Sequence, residues 1–399
     1  MLATLLVATV AVVTAVVLLS DDRYVAPPAP PAAAGVDAAG ASAALSALAQ
    51  ALSRGDEETS AALAPDGDSA ARDLLAALAG NAADLRVEGV VLRFVDQVGV
   101  LREDGSWTAR ADLTWELRGQ PSGPARTEVE VGLRQGEGRV AVTGFTGGRV
   151  PLWLRGPALV ERAGDTLVVT AGQDPAPYTA LAARALPQVR RVLPDLRGGL
   201  VVEVPGSSTE LDAVLGVPEG TYSGVAAVTA SVDGRTVGSA PVHVFVNPEE
   251  LGRLRRTGAQ VVMTHEAVHA LTGAPTSRAP VWLVEGFADY VALRDVDLPL
   301  SQTAAQVLAQ VRREGAPDRL PGEAEFDVTA PHLGAAYEAA WLASRALVEL
   351  AGEDALLEVY ASAGAGTDIE AALQQEAGLD LATLTDRWQE LLLDAARSA

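Results

Sequence analysis

An α+β architecture in two successive units follows from three features of this 399-residue chain. Two stretches with helical spacing, 43–52 and 70–78, precede three stretches that alternate apolar and polar residues as half-buried strands do, 85–95, 107–117 and 127–133. Near Val150 the pattern resets to short strands, and after Pro248 the strands give way to helices as far as the C-terminus. Hydrophobic residues at 49% and charged residues at 21% exclude a chain disordered throughout, and with only 4% aromatics the cores must be built mainly from Ala, Val and Leu.

The N-terminus sets the expected compartment. Residues 2–19 carry no charged group, and a helix of that length, rising ~1.5 Å per residue, nearly crosses a hydrocarbon core. Residues 1–20 are therefore read as a transmembrane anchor or signal segment. An uncleaved anchor is preferred, because the run exceeds the roughly 7–15 apolar residues of a signal peptide and no Arg precedes it. Ala32, Ala33 and Ala34 supply a cleavage site in the alternative. Asp21 and Asp22 follow the run and nothing later is apolar enough to span. The expected location is extracytoplasmic, anchored to the cell membrane by this helix, or secreted if the segment is cleaved.

Charge and cysteine usage remove several function classes. Thirty basic residues, all Arg, against 52 acidic ones leave a net charge of −22, which repels phosphate backbones and anionic headgroups. Nucleic acid is excluded as a partner, and membrane contact is assigned to the N-terminal helix only. With no cysteine, the chain has no disulfide, thiolate nucleophile, lipoprotein anchor or cysteine-ligated zinc.

Residues 21–39, with Pro27, Pro28, Pro30 and Pro31, form a semi-extended linker. Residues 40–149 make the first, small α+β unit. Its helices followed by antiparallel strands resemble nuclear-transport-factor-2-like (NTF2-like) domains in topology, a likeness that carries no motif and implies a packing or recognition module. Residues 150–399 make the second unit. Its strands fall at 167–170, 200–204, 225–231 and 242–246, with a helix at 178–192. Helices then fall at 259–271, 281–292, 304–313, 335–350, 356–361 and 381–395. No internal repeat is visible.

The chemistry-bearing residues lie in this helical half. His265-Glu266-Ala267-Val268-His269 sits in a helical run, so two imidazoles four residues apart project from one face about a turn apart and can share one ion. Glu266 lies slightly around the helix, where it can reach a metal-bound water as general base without filling a coordination position. Sixteen positions beyond His269, Glu285 lies in Trp282-Leu283-Val284-Glu285-Gly286-Phe287-Ala288-Asp289-Tyr290, a second helix entered through Pro280. A carboxylate on an apolar helix face is costly without a cation or donors, so Glu285 completes a His, His, Glu set for tetrahedral Zn2+ with a fourth position open to water. Asp289, one turn on, is placed to accept from the non-coordinating nitrogen of one ligand histidine. Gly286 allows another backbone to approach closely. Tyr290 and Trp282 are assigned to the core.

HExxH paired with W-L-x-E-G-x-A-x-Y resembles the gluzincin metallopeptidases, specifically peptidase MA-like bacterial proteins, over residues 242–399. The resemblance implies a zincin-like fold, with His265, His269 and Glu285 as zinc ligands, Glu266 as general base and Asp289 as their hydrogen-bonding support. The spacing from His269 to Glu285 is a little shorter than in the best-known members, which concerns the connecting loop. Strand 242–246 looks like the edge strand on which gluzincins align substrate backbone. The resemblance also implies an oxyanion donor from a later helix: Tyr337 is the candidate and His332 the competitor. His243 is read as a satisfied strand histidine rather than a substrate contact. The G-x-M-E-N segment of related aminopeptidases is missing, so exopeptidase activity is not expected.

The expected function is a membrane-anchored or secreted zinc metallopeptidase acting on a peptide or protein substrate. The alternative is an extracytoplasmic binding or scaffold protein whose zinc only staples two helices, with His332 as its candidate fourth ligand and no turnover. A third reading has packing helices alone and no zinc. Substrate identity and oligomeric state depend on surface shape, which residue spacing does not encode.

Overall fold

The computed structural model describes residues 35–119, 123–136, 138–235, 240–327 and 330–398. The expected anchor or signal segment 1–20, and the linker as far as residue 34, lie outside them. Among the described residues no helix is long and apolar enough to cross a membrane.

The fold is mixed α+β, with one antiparallel and one mixed sheet and a helical C-terminal half. Three helices come first: α1 (Ala38–Arg54), α2 (Glu57–Ala61) and α3 (Ser69–Leu85). Each starts on an aspartate, Asp37, Asp56 or Asp68, whose carboxylate accepts a first-turn backbone N–H. Leu45, Leu48 and Leu52 of α1 and Leu75 and Leu78 of α3 fall at helical spacing and are fully buried, each burial contributing about 2 kcal/mol. They cover one face of the meander β1 (Val87–Val98), β2 (Ser106–Leu117), β3 (Ala125–Gly136) and β4 (Arg139–Gly148), paired antiparallel in chain order. On β2 every second residue from Trp107 to Trp115 is buried. The fourth strand escapes the sequence pattern because Gly144, Gly147 and Gly148 interrupt its alternation and it pairs through register shifts.

The second sheet has the order β5-β6-β7-β9-β8, built from β5 (Leu159–Ala163), β6 (Thr166–Thr170), β7 (Leu200–Val204), β8 (Ala227–Ser231) and β9 (Val242–Val246). The three central strands run parallel and the outer two antiparallel to them. Strands β6 and β7 are buried at every residue, as parallel strands covered on both faces must be. The expectation that 242–246 is the edge is therefore wrong: β9 lies between β7 and β8, and β8 is the edge. The chain turns back after β8, so the later strand inserts inside the earlier one, an order that alternation cannot reveal.

Val168, Val202 and Val244 pack into one core with α4 (Ala176–Val192) and the later helices. On the other face Val201, Glu203, His243 and Phe245 meet Trp115, Leu117 and Trp153 of the first unit and its exit. Two polar side chains tie this junction. Asn81 of α3 donates to the carbonyls of Trp153 and Gly156 at 2.9 and 2.8 Å and accepts from Ala158 N–H at 3.1 Å. Arg149 donates to the carbonyls of Leu215, Ser231 and Val232.

After α5 (Ser208–Leu215) and the strand pair come α6 (Pro248–Arg253), α7 (Arg256–Thr272), α8 (Val281–Leu293), α9 (Leu300–Thr303), α10 (Ala305–Glu314), α11 (Leu333–Ala351), α12 (Glu353–Gly364), α13 (Ile369–Ala372) and α14 (Leu381–Ser398). Helix α7 lies against β8 and α8 against α11. Trp388 of α14 is fully buried and donates its indole N–H to Ala339 O of α11 at 2.9 Å, closing the bundle behind the site.

Candidate metal centre

Helix α7 brings His265, Glu266 and His269 into the interior; all three are buried. It ends at Gly273, whose φ of 70° is the left-handed cap conformation. A short 3-10 turn over Ala274–Thr276 reverses the chain, and Pro280 starts α8. This compact reversal is how the short spacing between His269 and Glu285 is bridged. Glu285 and Asp289, four residues apart, then share the α8 face turned toward the two histidines.

Three donor atoms converge. His265 Nε2 and His269 Nε2 lie 2.9 Å apart, and each is 3.1 Å from Glu285 Oε2. Metal–ligand bonds of about 2.0–2.2 Å in tetrahedral array set donors about 3.3 Å apart, so the triangle needs only a few tenths of an ångström of opening to hold an ion. His265 Nδ1 is 2.8 Å from Asp289 Oδ1. In the neutral ring that contact places the proton on Nδ1 and leaves the Nε2 lone pair directed at the shared point. Two imidazole nitrogens and a carboxylate oxygen aimed at one another suit a cation. The residues therefore fit a metal ion, and theirs is the one such cluster of three among the described residues.

Electrostatics agree. Burial disfavours the charged form of His265, but Asp289 and Glu285 outweigh it and hold the imidazolium well above the usual histidine range. Burial would likewise raise the Glu285 carboxyl, yet His269 and His265 outweigh it and hold it well below the usual carboxylate range. His269 differs from His265 in one respect: its Nδ1 is buried without a hydrogen-bond partner among the described residues.

The centre lies in a cleft of about 420 Å³ between the β8 edge, α7 and the start of α11. Tyr222, Val225, Val228, Val261 and Leu333 line it, and its ionisable residues are His265, Glu266, His269, Glu285, Asp289 and two tyrosines. Tyr337 stands on the α11 wall, its ring centroid 5.9 Å from that of His265, with the Phe326 ring edge-on behind it at 5.3 Å. Burial first, then the carboxylates of Glu285, Glu266 and Asp289, push its phenol far above the ordinary value, so it remains a protonated donor. His332, at the N-cap of the same helix, is exposed and lines a separate cavity. It precedes the first helical residue, Leu333, and does not line the cleft that Tyr337 occupies.

His243 is buried in the opposite face of the sheet, its Nδ1 2.6 Å from Glu203 Oε1, and does not line the cleft. Trp282 is core, and Tyr290 donates to Glu353 at 2.7 Å. Sequence reasoning missed Thr229 of β8, whose hydroxyl lies 2.7 Å from Glu266 Oε2. A threonine in an alternating strand gives no signal of its own. Among known proteins, no family model, curated protein or solved structure matches the chain, so the reading of this centre rests on its own residues.

Proposed function

We propose that the chain is a zinc-dependent metallopeptidase of the gluzincin type, with a peptide or protein as its substrate. The observation that carries the proposal is the convergence of His265, His269 and Glu285 on one point of an accessible cleft with Glu266 beside them. Two imidazoles and one carboxylate suit Zn2+ among the common metals. Zinc bound there supplies Lewis acidity, which acidifies water and polarises a carbonyl.

The chain's own residues do the rest. Asp289 keeps the His265 proton on Nδ1 and the ring in its orientation. The Glu266 carboxylate takes a proton from the attacking water and returns it to the leaving amine. The Tyr337 O–H, kept protonated by its surroundings, donates to the developing oxyanion. The outer edge of β8, unpaired among the described residues, offers backbone N–H and C=O groups to which an extended peptide adds as a further strand.

On this reading the second unit is zincin-like. The first, helices packed on a four-stranded meander, is an NTF2-like recognition or packing module. Residues 1–20 anchor an extracytoplasmic protein or direct its secretion. His332 lies outside the cleft, which counts against a centre closed by a fourth protein ligand and so against the scaffold alternative. The test is hydrolysis of a quenched-fluorescence peptide library by the zinc-loaded full chain beside Glu266→Gln. Turnover that disappears in the variant supports the proposal; equal turnover in both, or none in either, sinks it.

A further inference from the structure

We propose that Thr229 is the positioning residue for Glu266, fixing which carboxylate oxygen acts and tying the base to the strand on which substrate is laid. The inference rests on the peptidase reading above and deepens it. Thr229 Oγ1 lies 2.7 Å from Glu266 Oε2 and 3.0 Å from the main-chain oxygen of the same residue. A hydroxyl has one proton, and the charged, nearer acceptor holds it more strongly. Oε2 is thereby engaged. Oε1 accepts no hydrogen bond among the described residues and is left as the oxygen that takes the proton from water.

Burial makes this contact matter. Glu266 is 8% exposed, and a carboxylate in that setting needs a donor. Its ionisable neighbours in the cleft include two more carboxylates, Glu285 and Asp289. Without Thr229 no hydrogen bond among the described residues holds the carboxylate in place, and a displacement of about 1 Å at a reacting group costs on the order of 100-fold in rate.

Thr229 also sits at the middle of β8, paired with Val244 on β9, while the other side of β8, which pairs with no strand among the described residues, borders the cleft. One residue of one strand thus registers the base to the backbone that would align a peptide. A shift of β8 along α7 moves the substrate path and the base orientation together.

The test compares Thr229→Ser, which keeps the hydroxyl, with Thr229→Ala and Thr229→Val, which remove it, in the zinc-loaded full chain. The expected result is kcat lowered by ~10- to 100-fold in the Ala and Val variants with KM within ~3-fold, and recovery to within ~3-fold in the Ser variant. A second readout needs no turnover: the cobalt-loaded protein is titrated with acetohydroxamate and followed by its visible spectrum. Thr229→Ala and Glu266→Gln should each weaken that binding, and the double variant should weaken it no further than Glu266→Gln alone. Additive losses, or Ser and Ala variants that behave alike, overturn the role of Thr229 even if the wild type is an active peptidase. If the wild type binds cobalt and hydroxamate but cleaves nothing, the peptidase reading fails while the coupling of Thr229 to Glu266 is still decided. A Val variant that does not fold leaves the comparison of Ser with Ala intact.

Discussion

Gly286 and Ala340 bring α8 and α11 into backbone contact: a Cβ on Gly286 would lie 2.2 Å from the carbonyl oxygen of Ala340 and 2.8 Å from Ser344 Oγ. The first helix carries Glu285 and Asp289, the second Tyr337, so this crossing sets the separation between those two carboxylates and the phenol across the cleft.

Gly286→Ala should therefore destabilise the protein although alanine is the better helix former. The propensity gain is about 1 kcal/mol. The clash is with backbone rather than a flexible side chain, so the helices must separate, at a cost typical of overpacking, about 1–3 kcal/mol, which offsets that gain and leaves a net loss of up to about 2 kcal/mol. Urea unfolding should show a lowered midpoint, and peptide turnover should fall more than metal content, because Tyr337 moves relative to the ligands while the ligands keep their own helices.

Asp289→Ala should weaken metal binding by about 10- to 100-fold without abolishing it. Asp289 orients His265 alone; His269 has no equivalent support among the described residues. Competition with a chromophoric chelator measures the affinity. A change smaller than about 3-fold in that assay would mean that the His265–Asp289 contact does not orient a ligand.

The metal-free and metal-loaded proteins should respond differently to pH. His265 has its folded value raised, so its proton stabilises the metal-free fold fully below the ordinary histidine range near ~6.5, and that contribution is lost as pH rises through the raised value. Glu285 has its folded value depressed, so its contribution is present above the usual carboxylate range and is lost as pH falls through the depressed value. The metal-free protein is thus best supported by this cluster between those limits. A metal ion competes with the His265 proton, so the gain in Tm on adding zinc should grow as pH is raised from about 6 to about 8. A gain that shrinks over that interval would contradict the ligand assignment.

The legible and the hidden parts of the site differ in range. His265 with His269, and Glu285 with Asp289, are pairs four residues apart, and the helical period alone puts each pair on one face. The meeting of the two helices was also readable, because a carboxylate on the apolar face of α8 wants what α7 offers. Strand order was not readable. Whether β8 or β9 forms the edge is decided by where the chain inserts after its turn, and both read as short apolar strands. Thr229 was hidden for the same reason, since its importance comes from lying against α7, thirty-seven residues away in sequence. The glycines of β4 masked a whole strand. Tyr337 and His332 both lie at the start of one helix, and only the packing of α11 shows which of them meets the cleft.

The most direct test of the central claim is zinc content by elemental analysis of the purified full chain beside Glu285→Ala and Glu266→Gln. The prediction is one zinc per chain in the wild type, retained in Glu266→Gln and lost in Glu285→Ala, because Glu285 contributes a donor atom to the triangle and Glu266 does not. No zinc in the wild type after loading at neutral pH, or zinc that stays bound in Glu285→Ala, would contradict the account.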